Sequence, residues 1–529
     1  MRRRAFVASM GAAAAAVIAR PALVRSASAT TLRFIPQVDL AFLDPHWTTA
    51  NVTRNHGFMV FDTLYGIDGN FVARPQMVEG HLTDNDGRLW ELTLRDGLLW
   101  HDGETVLARD CVASIRRWSR NDAFGSALMQ ATDELSAPSD RIIRFRLKRP
   151  FPLLPDALAK GTPYMPAMMP ERLARTPVGQ QVSEMVGSGP FQFRADERLQ
   201  GARNVYARFE RYQPRADGPS EWVAGPKRAH YDRVVWTTTP DTATAAAALQ
   251  NNEQDWWEQA AHDFLPLLRA NGDIRVTVPD PTGATTMLRP NHLQPPFNNP
   301  AIWRALWRAI NQSDFMTTIV GDNADLTYTP LGFFCPKTAM ASDAGLDVLR
   351  GPRDYDAVKR DLQAAGYAGE RVVLLVPTDY ITLKALGDVA ADMLKRCGFT
   401  VDYIATDWGT MLQRRNKQTS VDQGGWSLFV SSWTGLDWMN PATDIALRGN
   451  GTAGYAGWYG SDAMEALRSD WIYAANAQDR AGIARSMQLK AIDDVPFWPL
   501  GQYLQPTAHR KSITGVSSGF TTFWNVRPA

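Results

Sequence analysis

The chain has 529 residues, 45% of them apolar and 21% charged, with 18 tryptophans and a formal net charge of +1. That length allows two or three domains with proper cores. The near-neutral balance argues against nucleic acid or anionic membrane as partners, and three cysteines are too few for a disulfide framework.

In chain order, residues 1–29 read as an export signal. Arg2, Arg3 and Arg4 precede the apolar run Gly11 to Ala19, and Ala27-Ser28-Ala29 offers small residues for cleavage near Ala29. Arg3-Arg4-Ala5-Phe6-Val7 is similar to the twin-arginine export pattern. Cleavage removes five arginines and takes the formal charge from +1 to −4. No cysteine follows the cleavage site to carry a lipid, and no later apolar run approaches the roughly 20 residues of a membrane helix. We expect a free periplasmic protein.

Past the signal, "LWELTLRDG" alternates Trp90, Leu92 and Leu94 with polar residues, as does "IIRFRLKRPF" with Ile143, Phe145 and Leu147. Both predict half-buried strands. Between them Val112, Ile115 and Trp118 have helical spacing, so helices on a largely antiparallel sheet are expected. Trp303 and Trp307, four apart in "AIWRALWRAIN", predict the buried face of a helix. Asp356 is expected to cap a helix through Leu362 that ends at Gly366. "RVVLLVP" follows as a buried strand. Leu386, Ala390, Met393, Leu394 and Cys397 line a second helix, and "FTVDYIATD" returns as a strand. That β-helix-β order predicts a parallel pair. Two differently built lobes are implied. Cys111, Cys335 and Cys397 allow at most one bridge, for instance Cys335 to Cys397, and buried free thiols are expected.

Catalytic and metal motifs are absent from the sequence. It has no GxSxG elbow, Walker loop or HExxH. Its eight histidines, at 46, 56, 81, 101, 230, 262, 292 and 509, include no pair at ligand spacing. No enzyme, intrinsic metal site or cofactor is expected.

From about Leu32 to Gly515 the chain resembles the extracellular solute-binding proteins of family 5. The phrases that carry the resemblance are "LDPHWTTANVTRNHGFMVFDTLYGIDGNFVARPQMVEG", "LWELTLRDGLLWHDGETVLARDCVASIRRW", "GSGPF", "ERYQPR", "TATAAAALQNNEQD", "PPFNNPAIWRALWRAINQ" and "YDAVKRDLQAAGY", in that order. The resemblance implies an α/β fold of the large two-lobe periplasmic-binding type, with a hinge of two crossing segments near Thr282 to Asn291 and Pro496 to Leu504. One lobe is then 30–285 plus 500–529, and the other 286–499. It implies a monomeric receptor that captures an oligopeptide or peptide-like solute and hands it to the permease subunits of an ABC importer. The alternatives are a receptor for chelated nickel or an opine, or a chemosensory or chaperone protein outside transport.

The same resemblance directs attention to "VSSWTGLDWMNPAT", Val430 to Thr443. Trp433 and Trp438 are candidate walls of a ligand cleft, against the alternative of loop tryptophans tucked under their own strand. Asp437 is the counterpart of an aspartate that clamps a peptide amino group, or else a turn or cap carboxylate, and Asn440 before Pro441 fits turn chemistry. From the opposite lobe, Phe42, His46, Trp47 and Arg54 have something to offer. Arg54 suits a ligand carboxylate unless it is spent in a salt bridge, and His46 suits a structural role. Tyr503, Tyr164 and Trp458 complete the candidates.

Overall fold

The computed structural model describes residues 30–218 and 220–529; the predicted export signal lies outside them. The chain forms two α/β lobes, each organised by one large sheet. In the first, seven strands lie in the order Ile274–Thr277, Thr507–Arg510, Trp256–Trp257, Thr31–Ile35, Arg233–Thr237, Arg203–Arg208, Phe191–Phe193. Thr31–Ile35 runs parallel to both neighbours, and the outer pairs are antiparallel. Phe34 holds this core together, with ring centroids 5.4 Å from Trp236, 5.1 Å from Trp256 and 4.8 Å from Phe523.

A four-stranded antiparallel sheet belongs to the same lobe: Val78–Asp84, Leu89–Leu94, Ile142–Leu147, Thr132–Ser136. Its alternation is the predicted one, with Trp90, Leu92, Leu94, Ile143, Phe145 and Leu147 buried. The helix Ala108–Trp118 packs on it through Ile115 and Trp118. Asp110 fixes the start of that helix by accepting from the Leu107 amide at 3.0 Å.

The second lobe has six strands in the order Thr327–Tyr328, Trp498–Tyr503, Ala284–Pro290, Leu428–Thr434, Arg371–Pro377, Thr400–Thr406. Arg371–Pro377 and Thr400–Thr406 are parallel along their whole length, joined by the helix Ile381–Arg396, as the β-helix-β pattern predicts. Two local expectations need correction. The helix Tyr355–Ala364 is capped by Asp354, whose Oδ1 accepts from the Ala357 amide, and Asp356 falls in its first turn. "AIWRALWRAIN" does not make one continuous α-helix: Pro300–Ala305 tightens into a 3-10 turn, Leu306–Arg308, although Trp303 and Trp307 are buried as expected.

The chain passes between the sheets at 278–283 and at 504–506. The segments Thr282 to Asn291 and Pro496 to Leu504 overlap these passages and continue as paired strands, so Leu500 to Tyr503 hydrogen-bond into the second sheet. Gly435 packs against one passage so closely that a Cβ would sit 2.0 Å from the Thr282 carbonyl oxygen, which leaves glycine as the residue that fits. Eight tryptophans are almost wholly enclosed, so the abundance of this residue is mainly a packing feature. All three cysteines are free and buried. Among the described residues no helix is long and apolar enough to cross a membrane.

Candidate functional site

The lobes face each other across a series of connected cavities. The largest of these, about 610 Å³, has Gln37, Asp39, Phe42 and Leu43 on one side and Asp379, Trp408 and Gln413 on the other. A second, about 420 Å³, shares Phe42, Gln181 and Gln413 with it. A smaller chamber of about 70 Å³ lies against the crossing segments and shares Gln37 with the largest. The lobes also touch directly. Tyr380 Oη lies 3.2 Å from Gln37 Oε1, and the Arg149 guanidinium lies 3.4 Å from the centre of the Tyr473 ring.

The segment that the sequence left ambiguous resolves into a strand end and a turn. Leu428–Thr434 is a central strand, paired to both Ala284–Pro290 and Arg371–Pro377. It delivers Trp433, which is 5% exposed, to the wall of the small chamber with its indole Nε1 unpartnered. Gly435–Trp438 then makes a 3-10 turn. Asp437 closes it: Oδ2 accepts from the Thr434 amide at 3.0 Å and the Thr434 hydroxyl at 2.8 Å. The turn carries Trp438 away from the cleft into the core of the second lobe, 4.9 Å from the Phe497 ring and fully enclosed. Trp438 is therefore no cleft wall. Asn440 also works within the turn, its Oδ1 accepting from the amides of Ala442 and Thr443 at 2.9 and 3.1 Å.

Arg54, on the helix Asn51–Val60, lines the small chamber from the first lobe. Its Nε and Nη2 donate to Asn55 Oδ1, its Nη1 is buried without a partner, and its guanidinium stacks 3.9 Å from the centre of the Phe520 ring. Burial lowers its pKa, against the opposing pull of Asp437, Asp280 and Glu258. Burial in turn raises the pKa of each of those three carboxyls above its ordinary value, against the pull of Arg54. Asp280 is held by the Thr282 amide and hydroxyl, at 2.8 and 2.6 Å. Glu258 accepts from the Gln37 amide and Asn55 Nδ2, both at 2.7 Å. One guanidinium thus stands among three carboxyls, and an added anion there would face their repulsion. That arrangement weighs against Arg54 as the receiver of a ligand carboxylate.

The remaining candidates divide. Phe42, Trp47 and Tyr164 line the 420 Å³ cavity. Tyr503 is buried in the strand Trp498–Tyr503, its ring 6.1 Å from His262, and lines none of the three cavities. Trp458 stacks on Trp426 in the second core, 5.6 Å away, and is likewise no cleft residue. His46 is buried, and desolvation takes its pKa down to about 4, which suits a structural ring. The sequence reading missed Glu258, Asp280, Tyr380 and Arg415. Of these only Asp280, in the turn-forming "PDPTG" that leads into the crossing expected from Thr282, had a signal to find it by. Among the described residues no group of His, Cys, Asp and Glu is placed to hold a metal ion.

With that geometry in hand, known proteins give a consistent answer. Residues 73–455 match the bacterial extracellular solute-binding proteins, family 5. The chain is 35% identical over 526 residues to a probable peptide ABC transporter periplasmic-binding protein of Sinorhizobium fredii, covering 98% of each. Its fold is similar to that of the periplasmic binding protein DppA from Helicobacter pylori in complex with the peptide STSA, with a TM-score of 0.77, 19% identity, and 94% and 98% of the two chains covered. It is also similar to NikA from Staphylococcus aureus in complex with Ni(L-His)2, with a TM-score of 0.76, 15% identity, and 94% and 99% covered. Likeness at those identities carries the two-lobe fold and leaves the solute open. The chain belongs to the family 5 bacterial extracellular solute-binding proteins.

Proposed function

We propose that this protein is the periplasmic receptor of an ABC importer and takes a peptide or peptide-like solute bearing a positively charged amino group. The observation that carries the reading is the chamber at the lobe interface lined by Arg54, Glu258 and Asp280, with Asp437 near enough to act on the same guanidinium. One fixed cation against three carboxyls, of which Glu258 and Asp437 are buried, leaves a demand for positive charge, which a proton or a ligand ammonium meets. Trp433 provides an apolar wall with one unpaired N–H, which suits a peptide carbonyl. The names of the Sinorhizobium relative and of the peptide-bound neighbour point the same way.

In this reading 30–277 with 507–529 and 284–503 move as two bodies about the crossings, because the strands Ala284–Pro290 and Trp498–Tyr503 shift the expected bounds of 285 and 500 into the second lobe. A solute that touches both favours the closed state, and closure presents the receptor to the permease subunits. The protein binds without catalysing, acts as a monomer, and reaches the periplasm by way of residues 1–29. Calorimetry with the tripeptide Ala-Phe-Ala and its N-acetyl form tests the charge requirement. Acetylation is expected to weaken binding about 30-fold, the equivalent of ~2 kcal/mol. Equal affinities would remove the amino group from the recognition.

A further inference from the structure

We infer that the 420 Å³ cavity holds a second subsite, in which Arg415 receives a carboxylate whose neighbouring aromatic or alkyl group rests on the surrounding rings. The inference rests on the reading that the solute lies in the cleft, and it adds a polarity: amino end at the crossings, acid end at Arg415.

Arg415 follows the short helix Trp408–Arg414 and is 5% exposed. Its Nη2 donates to the Thr49 hydroxyl of the opposite lobe at 2.7 Å and its Nη1 to the Tyr455 hydroxyl at 3.0 Å, while Nε is buried without a partner. Arg54 stands among Glu258, Asp280 and Asp437, and the other buried cations described are held in ways that Arg415 is not. Arg117, Lys160 and Lys227 each pair with a buried carboxylate, Asp44, Asp122 and Asp62, at 2.6 Å. Arg289 and Arg468 are spent on backbone carbonyls that pin the loops of the second lobe. Arg415 has only two hydroxyls, and among the described residues no carboxylate pairs with it. A buried guanidinium without a counter-charge is costly.

Hydroxyls are also the partners that fit an incoming anion. Each can turn to donate, so a carboxylate at the guanidinium fork gains hydrogen bonds from Thr49 and Tyr455 as well. The walls suit what such an acid would carry beside it: Phe42, Trp47, Tyr164 and Tyr455 all line the cavity. Tyr164 is held there with φ of 55°, an uncommon conformation for a tyrosine, and its carbonyl accepts from Trp118 Nε1 at 2.6 Å. The subsite and the amino-end chamber both adjoin the 610 Å³ cavity, the first sharing Phe42, Gln181 and Gln413 with it and the second Gln37. An anion touching both Thr49 and Arg415 also favours closure of the lobes.

The test uses the mature protein and two acid and amide pairs: Ala-Ala-Phe with its C-terminal amide, and 3-phenylpropionate with 3-phenylpropionamide. By calorimetry each acid is expected to bind at least about tenfold more tightly than its amide. Arg415→Gln brings that ratio to about one and leaves the amides unchanged, whereas Thr49→Val preserves most of the ratio. If Arg415→Gln does not fold, Arg415→Lys, which keeps the charge without the fork, should lower the ratio severalfold. A ratio near one in the wild type, a ratio unchanged in the Arg415 variants, or no binding of any of the four probes at millimolar concentration overturns the inference. Equal weakening of acid and amide by both Arg415→Gln and Thr49→Val also overturns it, since that pattern identifies a latch between lobes. If only the phenylpropionate pair binds, with the Arg415-dependent ratio, the peptide reading falls and the acid subsite stands.

Discussion

Trp433→Phe separates a cleft wall from a core residue more sharply than truncation to alanine. The ring is 5% exposed and packs edge-on against Tyr455, so alanine would cost stability whatever the ring does for a solute. Phenylalanine keeps most of the packing and loses about one or two methylene equivalents, roughly 1 to 2 kcal/mol. It also deletes the indole N–H, which has no acceptor in the protein and whose burial costs roughly 1 to 3 kcal/mol. These terms oppose each other, so the stability of the solute-free protein should change by less than about 1 kcal/mol, with its melting temperature moving about 2 °C or less. If, as proposed, that N–H meets a carbonyl of the solute in the complex, its loss should weaken binding about tenfold. Scanning calorimetry of the free protein and titration calorimetry with a bound peptide measure the two quantities. A drop of several kcal/mol in stability with unchanged affinity would show the indole to be core, and the chamber it lines would lose its meaning as a site.

Trp438→Ala should do the opposite, costing roughly 3 to 5 kcal/mol in denaturant unfolding while the folded fraction binds normally; a selective loss of affinity would return Trp438 to the cleft. Asp444 is buried, with its pKa pushed up from 3.8 to about 7 chiefly by desolvation, and its Oδ2 has no partner. The native state holds this proton more tightly than the unfolded state, so the contribution is present below about pH 4 and is lost as pH rises to about 7, an effect of about 4 kcal/mol. Asp444→Asn should therefore stabilise the protein at pH 8 and leave it nearly unchanged at pH 4, and a pH-independent difference between the two proteins would contradict that account. Small-angle scattering should give a monomer whose radius of gyration falls on binding; a constant radius at saturation would rule out closure. Replacing Arg3 and Arg4 by lysine should hold the precursor in the cytoplasm, and normal periplasmic yield would exclude the twin-arginine route.

Period and punctuation carried much of the architecture into the sequence. The alternation in Leu89–Leu94 and Ile142–Leu147, and the β-helix-β unit from Arg371 to Thr406, were legible because each buries one face against its own sheet. Boundaries were less secure. Asp354 and Asp356 are equally plausible caps by residue type, and only the backbone geometry selects Asp354.

The binding segment shows where a linear reading stops. "WTGLDWMN" places Trp433, Asp437, Trp438 and Asn440 within eight residues, and by residue type any of them is a credible ligand contact. A 3-10 turn sends Trp433 to the cleft and Trp438 to the core, and it occupies Asp437 and Asn440 with backbone amides. The sequence by itself determined the family and the sheet-forming segments, because these depend on local pattern and on ordered motifs. Only the tertiary structure decided the electrostatics of the site. Arg54, Glu258, Asp280 and Asp437 are spread over almost 400 residues, and Arg415 meets Thr49 across 366. Charge interactions act through space and strengthen as water is excluded, so which guanidinium is neutralised and which is left without a counter-ion is settled only when the lobes come together.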